Sequence, residues 1–257
     1  MTCQTFVKAG VTLRIQAGTT IFVTPADADG LAPALVIERG AKIVARGTAE
    51  EPVTFTSVSE AQSDDQALVD TSRGGNGTVV LGQRGKWGGV IVCGFAPVHP
   101  GAVNGVRPTE VQVEGLANVY YGGNDTRDDS GALEYVRIWY AGAVIGADNE
   151  INGLTLAGVG NGTFVSHVEV AYCLDDGFEF FGGTVNVRYL SSIFNGDDAF
   201  DVDQGYHGKG QFLFAVLGDQ GDHGLEIDSQ VGGCGRGLPG RSPFAGRPTT
   251  DSWASVE

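Results

Sequence analysis

The chain has 257 residues, enough for one large domain with a sizeable core, and carries 31 acidic against 16 basic side chains, a formal net charge of −15. That field repels nucleic acid and anionic lipid, so neither is expected as a partner, and no apolar run reaches the length of a membrane span. Glycine, at 41 residues, has about twice its usual share, and no long helical period occurs.

The start, MTCQTFVKAG (1–10), reads as a strand entered abruptly, without the basic and apolar regions of a signal peptide, so residue 1 is expected not to be the natural start of the precursor. LRIQAGTTI (13–21) matches LVIERGAKI (35–43) at a shift of 22, each an alternating strand, a glycine turn and a second strand. A further strand follows Pro52. Residues 58–85 are polar and glycine-rich and read as a loop thrown out of the pattern; within them GQRGKWGG (82–89) lacks the spacing of a phosphate loop. A second excursion covers 99–130. Then one short pattern recurs: GALEY (131–135), NGLTL (152–156), DGFEF (176–180), DAFDV (198–202) and HGLEI (223–227), at shifts of 21, 24, 22 and 25. The segment from 232 carries no such pattern.

Period-2 alternation inside a period of 21–25 means strands stacked as coils rather than paired as hairpins. The expected fold is all-β, a right-handed parallel β-helix of about eight to ten coils. It spans 1–231, with excursions near 58–85 and 99–130, and 232–257 forms an irregular C-terminal extension. The absence of a capping helix at either end suggests part of a longer chain or assembly.

Stacking places the carboxylates in columns. Glu179, Asp201 and Glu226 alternate with inward apolar residues and are expected to face solvent. A corner column holds Asn152, Asp176, Asp198 and His223, and a third holds Asp175, Asp197 and Asp222. Neighbouring parallel strands lie about 4.8 Å apart, so stacked like charges repel. Solvent and salt can screen them. Ca²⁺, which takes six to eight oxygens at about 2.3–2.6 Å, can bridge them through Asp175, Asp176, Glu179, Asp197, Asp198 and Asp201. A shared proton, raising one pKa, is the third relief and the one catalytic pairs use.

The stretches LVIERGAKIVARGTAEEPVTFTS, GKWGGVIVCGFAPV, NEINGLTLAGVGNGTFVSHVEV and DDGFEFFGGTVNVRYL resemble a family of secreted, largely uncharacterised right-handed β-helix proteins of marine bacteria. The resemblance covers most of 11–228 and implies an extracellular or cell-surface β-helix, with no reaction attached. DDG (175–177), GDD (196–198) and GDHG (221–224) are more weakly similar to polygalacturonase-type β-helix hydrolases. That likeness implies Asp198 as general acid, Asp176 and Asp197 as bases for water, and His223 as their support. The hydrolases' asparagine-threonine-aspartate motif is absent, and so is their arginine-x-lysine pair after the histidine. DGFE (176–179) is also similar to a calcium-binding motif of β-helix alginate lyases, whose base would have to come from Arg188 or Lys209.

The remaining features carry less. Trp87, Trp139, Tyr140, Tyr120 and Tyr121 read as sugar platforms or as packing. His99, His167 and His207 are scattered along the chain. Asn76, Asn124 and Asn161 stand in N-x-T sequons and are glycosylation candidates, or simply turn residues. Cys3, Cys93, Cys173 and Cys234 are too widely spaced for a zinc site and read as buried thiols or one disulfide. The leading functional expectation is a non-enzymatic extracellular module, structural, adhesive or glycan-facing, with polysaccharide or other surface proteins as partners and Ca²⁺ as a stabilising ion. The alternative is a polysaccharide hydrolase or lyase. A module would leave the acidic columns flat and exposed; an enzyme would sink them beneath the two excursions.

Overall fold

A computed structural model describes residues 1–25, 32–58, 84–102, 106–143 and 151–228. Among them there is no helix, and the strands lie parallel in two large sheets. The first sheet has seven rungs: β1 (Thr5–Val7), β4 (Ala34–Ile37), β7 (Gly89–Cys93), β11 (Leu154–Ala157), β13 (Phe178–Phe181), β15 (Phe200–Asp203) and β17 (Glu226–Ile227). The second holds β2 (Thr12–Ile15), β3 (Thr20–Val23), β5 (Lys42–Arg46), β6 (Val53–Ser57), β10 (Gly131–Trp139), β12 (Phe164–Ala171), β14 (Asn186–Ile193) and β16 (Gly210–Val216). A small antiparallel pair, β8 (Val111–Gln112) and β9 (Tyr120–Tyr121), lies within the 99–130 excursion. The chain is a parallel β-helix. The excursion at 58–85 lies almost wholly outside the described residues, as does the extension at 232–257.

Apolar alternates from both sheets build the interior. In the first sheet Leu35, Val90, Leu154, Phe178 and Phe200 stand in one column, and Ile37, Val92, Leu156, Phe180 and Val202 in the next. Phe178 and Phe200 stack with ring centroids 5.2 Å apart, as the shift of 22 requires. Trp87 closes the core beside Phe55, its Nε1 donating to the Trp139 carbonyl at 2.8 Å. It is a packing residue rather than a platform, and Tyr121 and Tyr140 are buried too.

The described residues contain seven rungs in the first sheet. Two expectations about the coils are corrected. The early repeat runs at 30 residues, not 22: Phe6 pairs with Val36 and Leu13 with Ile43. Gly10 and Gly40 turn the chain at φ 82° and 78°, a left-handed conformation open to glycine, so Gly10 is the counterpart of Gly40 where the sequence suggested Gly18. GALEY belongs to the second sheet, with Leu133 opposite Val165, because alternation alone does not say which sheet a strand joins.

The long strands of the second sheet bend at Tyr135, His167, Tyr189 and Phe212, all with φ between 49° and 59°. Their rings stack at 4.3, 4.5 and 4.7 Å, an offset that adds to burial and offsets the strained backbone. Each inner ring, His167 and Tyr189, has both faces covered by its neighbours and offers no open face for a sugar.

Candidate functional site

The outer face of the first sheet changes character along the solenoid. Its central column runs Phe6, Val36, Ile91, Thr155, Glu179, Asp201, Glu226: apolar in the early rungs, acidic in the last three. The apolar end needs a cover, and the second excursion supplies it. Val98, Val113, Leu116, Val119 and Tyr121 pack on Val36, Ile91, Cys93 and Ala157 as a second core outside the solenoid. Arg39 ties the excursion down, donating to the Gly122 carbonyl at 2.8 Å and pairing with Glu110 at 3.0 Å. The Gln204 amide donates to the Tyr121 hydroxyl at 2.9 Å.

This cover reaches the first acid. Glu179, expected to face solvent, is only 5 % exposed. It lines a cavity of about 420 Å³ between the sheet and the excursion, together with Asp175, Asn152, Thr155 and Phe181. Asp201 is half-buried and Glu226 is exposed, so the column grades from enclosed to open.

The corner column has a different role. Each side chain accepts the backbone N–H of its counterpart one coil on. Asn152 Oδ1 accepts from Asp176 N at 3.3 Å, Asp176 Oδ1 from Asp198 N at 2.9 Å, and Asp198 Oδ1 from His223 N at 2.7 Å. These bonds satisfy amides that turn away from both sheets. Asn152 does the same work as the two aspartates, so the bond needs the oxygen and not the charge. Asp176→Asn should therefore retain stability, whereas Asp176→Ala should cost about 1–3 kcal/mol by leaving the Asp198 amide buried and unpaired; urea unfolding of the two variants checks this.

Asp198 also receives His223 Nδ1 at 3.1 Å and is 2 % exposed. The carboxylates of Asp198 and Asp222 beside His223 hold its pKa above the usual value. In the third column Asp222 N donates to the Asp197 carbonyl at 3.1 Å, and Asp175, Asp176 and Asp197 bring carboxylate oxygens within 4.8 Å of one another.

The electrostatics of the central column are severe. Asp176, Glu179 and Asp201 also place one oxygen each within 4.8 Å of the others. Glu179 Oε2 accepts from Asn152 Nδ2 at 2.7 Å, but Glu179 Oε1, Asp201 Oδ1 and Asp203 Oδ1 are buried with no hydrogen-bond partner. Burial, then the charges of Asp201, Asp176 and Asp203, push the Glu179 carboxyl well above its ordinary range. Burial and Asp175 raise Asp176 to about 8, and burial raises Asp201 to about 6. With no cation beside them these carboxyls bind protons more tightly than ordinary carboxylates, Asp176 still holding its proton near neutral pH.

The basic residues suggested for a lyase are elsewhere. Arg188 stands on β14 of the second sheet, its guanidinium over the Phe164 ring at 5.6 Å. Lys209, just before β16, donates its backbone N–H to Asn186 Oδ1 at 3.1 Å. His99 and His207, scattered in sequence, come together with ring centroids 6.0 Å apart, while His167 is held in the aromatic ladder. Asn124 and Asn161 are exposed, and Asn161 N donates to the Thr126 carbonyl at 3.0 Å, so the two sequons adjoin. Asn76 lies outside the described residues. Cys93 and Cys173 are buried free thiols and Cys3 is an exposed one; burial pushes Cys93 up to about 12. Cys234 lies outside the described residues. The sequence missed Asp203, which follows the polar alternate by two residues, and the cover at 106–121, which has no repeat to reveal it.

Fold and site define a parallel β-helix with an acid-lined cavity on one outer face. The chain matches the family described as pectate-lyase-like β-helix domain over residues 1–75 and 77–237, and it belongs to that family. No curated protein and no solved structure matches it.

Proposed function

We propose that the protein is a non-catalytic extracellular surface module, structural or glycan-facing, which Ca²⁺ stabilises at its acidic column. The observation that carries this reading is the set of buried carboxylate oxygens without a donor: Glu179 Oε1, Asp201 Oδ1 and Asp203 Oδ1. Unpaired buried charge is costly, and a hard cation relieves it directly. Oxygens on opposite sides of a Ca²⁺ ion lie about 5 Å apart, which suits three ligand atoms within 4.8 Å of one another. Asp176, Glu179 and Asp201 would form the centre of the site. Asp175 and Asp197, with Asp176, offer a second cluster, and Asp198 extends the column toward Glu226.

The hydrolase roles fit less well. Asp198, at 2 % exposure, has its Oδ1 committed to His223, and Asp176 caps the Asp198 amide. A general acid must reach the leaving oxygen, and these carboxyls serve the backbone instead. The lyase roles lack a base, since Arg188 stands on the other sheet and Lys209 in the segment that leads into it. The family description favours an acidic polysaccharide as partner, but a net charge of −15 opposes a polyanion unless Ca²⁺ bridges the two.

One observation favours the enzyme: Glu179 and Asp201, both raised in pKa, form a coupled carboxyl pair, and Glu179 borders a cavity. The test separates the two. The protein is incubated with neutral and acidic plant and algal polysaccharides, with and without Ca²⁺, following reducing ends and unsaturated uronates. The expected result is no turnover, with Ca²⁺-dependent retention on an immobilised glycan. Turnover lost in Glu179→Gln would establish the enzyme reading instead.

A further inference from the structure

The cavity under the excursion is much larger than an ion needs. At about 420 Å³ it has the size of a site for a small organic molecule. Its floor is the outer face of three consecutive rungs, and the central column reads Ile91, Thr155, Glu179 across them. At about 4.8 Å per rung the floor is about 10 Å long, apolar at one end and carboxylate at the other. Ala157 and Phe181 continue the apolar strip beside it, and Val111 and Val113 form the roof. A metal ion at Glu179 would leave these walls facing water.

The polar groups also narrow the choice. Both side-chain ends of Asn152 are engaged, with Glu179 and with the Asp176 amide. The Gln204 amide is engaged with Tyr121. Few amide donors remain for a sugar. What remains at that end is acidic: Glu179, at 5 % exposure, lines the cavity together with Asp175 and Glu114. An acceptor in that position calls for a donor with positive charge.

We propose that this cavity binds a protonated primary amine on a small apolar body, the ammonium group donating to the Glu179 carboxylate at the acidic end and the aryl or alkyl part lying along Ala157 and Ile91 beneath Val113. A quaternary ammonium lacks the N–H and is a poorer fit. The stacked rings of Tyr121 and Phe181, 5.8 Å apart, add an aromatic wall that favours an aryl group. The inference rests on the same Glu179 as the proposed Ca²⁺ site but not on the binding of Ca²⁺, with which an amine should compete.

The probe is 2-phenylethylamine, titrated calorimetrically into the full chain at pH 7.5 in the presence of a chelator. Saturable one-to-one binding is expected, with 2-phenylethanol, its neutral counterpart, at least about tenfold weaker. Glu179→Gln should weaken the amine by a similar factor. Val113→Trp, which fills the cavity, should abolish amine binding and leave Ca²⁺ stabilisation intact; circular dichroism confirms that each variant folds. No binding of the amine, equal binding of the alcohol, or binding that survives both substitutions would overturn the inference. Amine binding without any Ca²⁺ effect would remove the metal from the proposed function alone. A Ca²⁺ effect without amine binding would remove this inference alone.

Discussion

The chelated protein is expected to lose stability as pH rises from about 4 to about 8. Asp176 is raised from 3.8 to about 8, Asp201 from 3.8 to about 6, and Glu179 well above 4.5. Between the unfolded and folded values the folded state binds more protons, so unfolding becomes easier with each step up in pH. The contribution is full below the unfolded values and is lost as pH passes through the folded ones. His223, also raised, acts in the same direction. For the buried carboxyls of Asp176 and Glu179 each pKa unit corresponds to about 1.4 kcal/mol, with solvent screening reducing the share of the half-exposed Asp201, so the loss from the carboxyls should reach several kcal/mol. For a chain of this size that is on the order of 10 °C in the unfolding midpoint. Millimolar Ca²⁺ should flatten the profile above pH 6, because the cation replaces the protons. Thermal scans at half-unit pH steps check both statements. A chelated protein that gains stability between pH 5 and 8 would refute the raised carboxyls.

The second large effect belongs to the core. Phe178 is fully buried between Leu154 and Phe200, one coil below and one above. Phe178→Ala should cost about 3–5 kcal/mol, since the rungs on either side are held by the backbone ladder and cannot collapse into the gap. Phe178→Leu should recover most of the loss. Denaturant unfolding measures both, and a near-neutral Phe178→Ala would place Phe178 outside the central column.

These two effects fall in the part of the molecule that the amino-acid pattern described best. From Asn152 to Ile227 the coils follow without interruption, and Thr155, Glu179, Asp201 and Glu226 fall in register as their spacing suggested. Earlier coils were harder to read because the rungs are unevenly spaced. Leu35 pairs with Val90 and Val90 with Leu154, intervals of 55 and 64 residues that hold the two excursions. The bent strands were missed for a related reason. Tyr135, His167, Tyr189 and Phe212 recur at 32, 22 and 23 residues, but three residue types share one backbone conformation, and their common feature is a flat ring rather than a shared letter.

The site was legible as a set of columns but not as an enclosure. Period and alternation put Glu179 above Thr155 and below Asp201. They carry no information on residues 106–121, whose apolar side chains Val113, Leu116 and Val119 look like ordinary loop content. The corner column misled in the opposite way. Asp176 and Asp198 resemble a catalytic pair by spacing, yet that spacing is set by a backbone amide recurring once per coil, which Asn152 meets equally well.

The central claim is that the enclosed acids require a cation. Its most direct test is thermal unfolding at pH 7.5, with chelator and with millimolar Ca²⁺, of the wild type and of the double variant Glu179→Gln/Asp201→Asn. A ligand that binds only the folded state at about a hundred times its dissociation constant stabilises by about 2.7 kcal/mol. The wild-type midpoint is therefore expected to rise by several degrees on adding Ca²⁺. The variant should match or exceed the wild type in chelator and show little response to the ion. Superimposable wild-type curves with and without Ca²⁺ would contradict the claim.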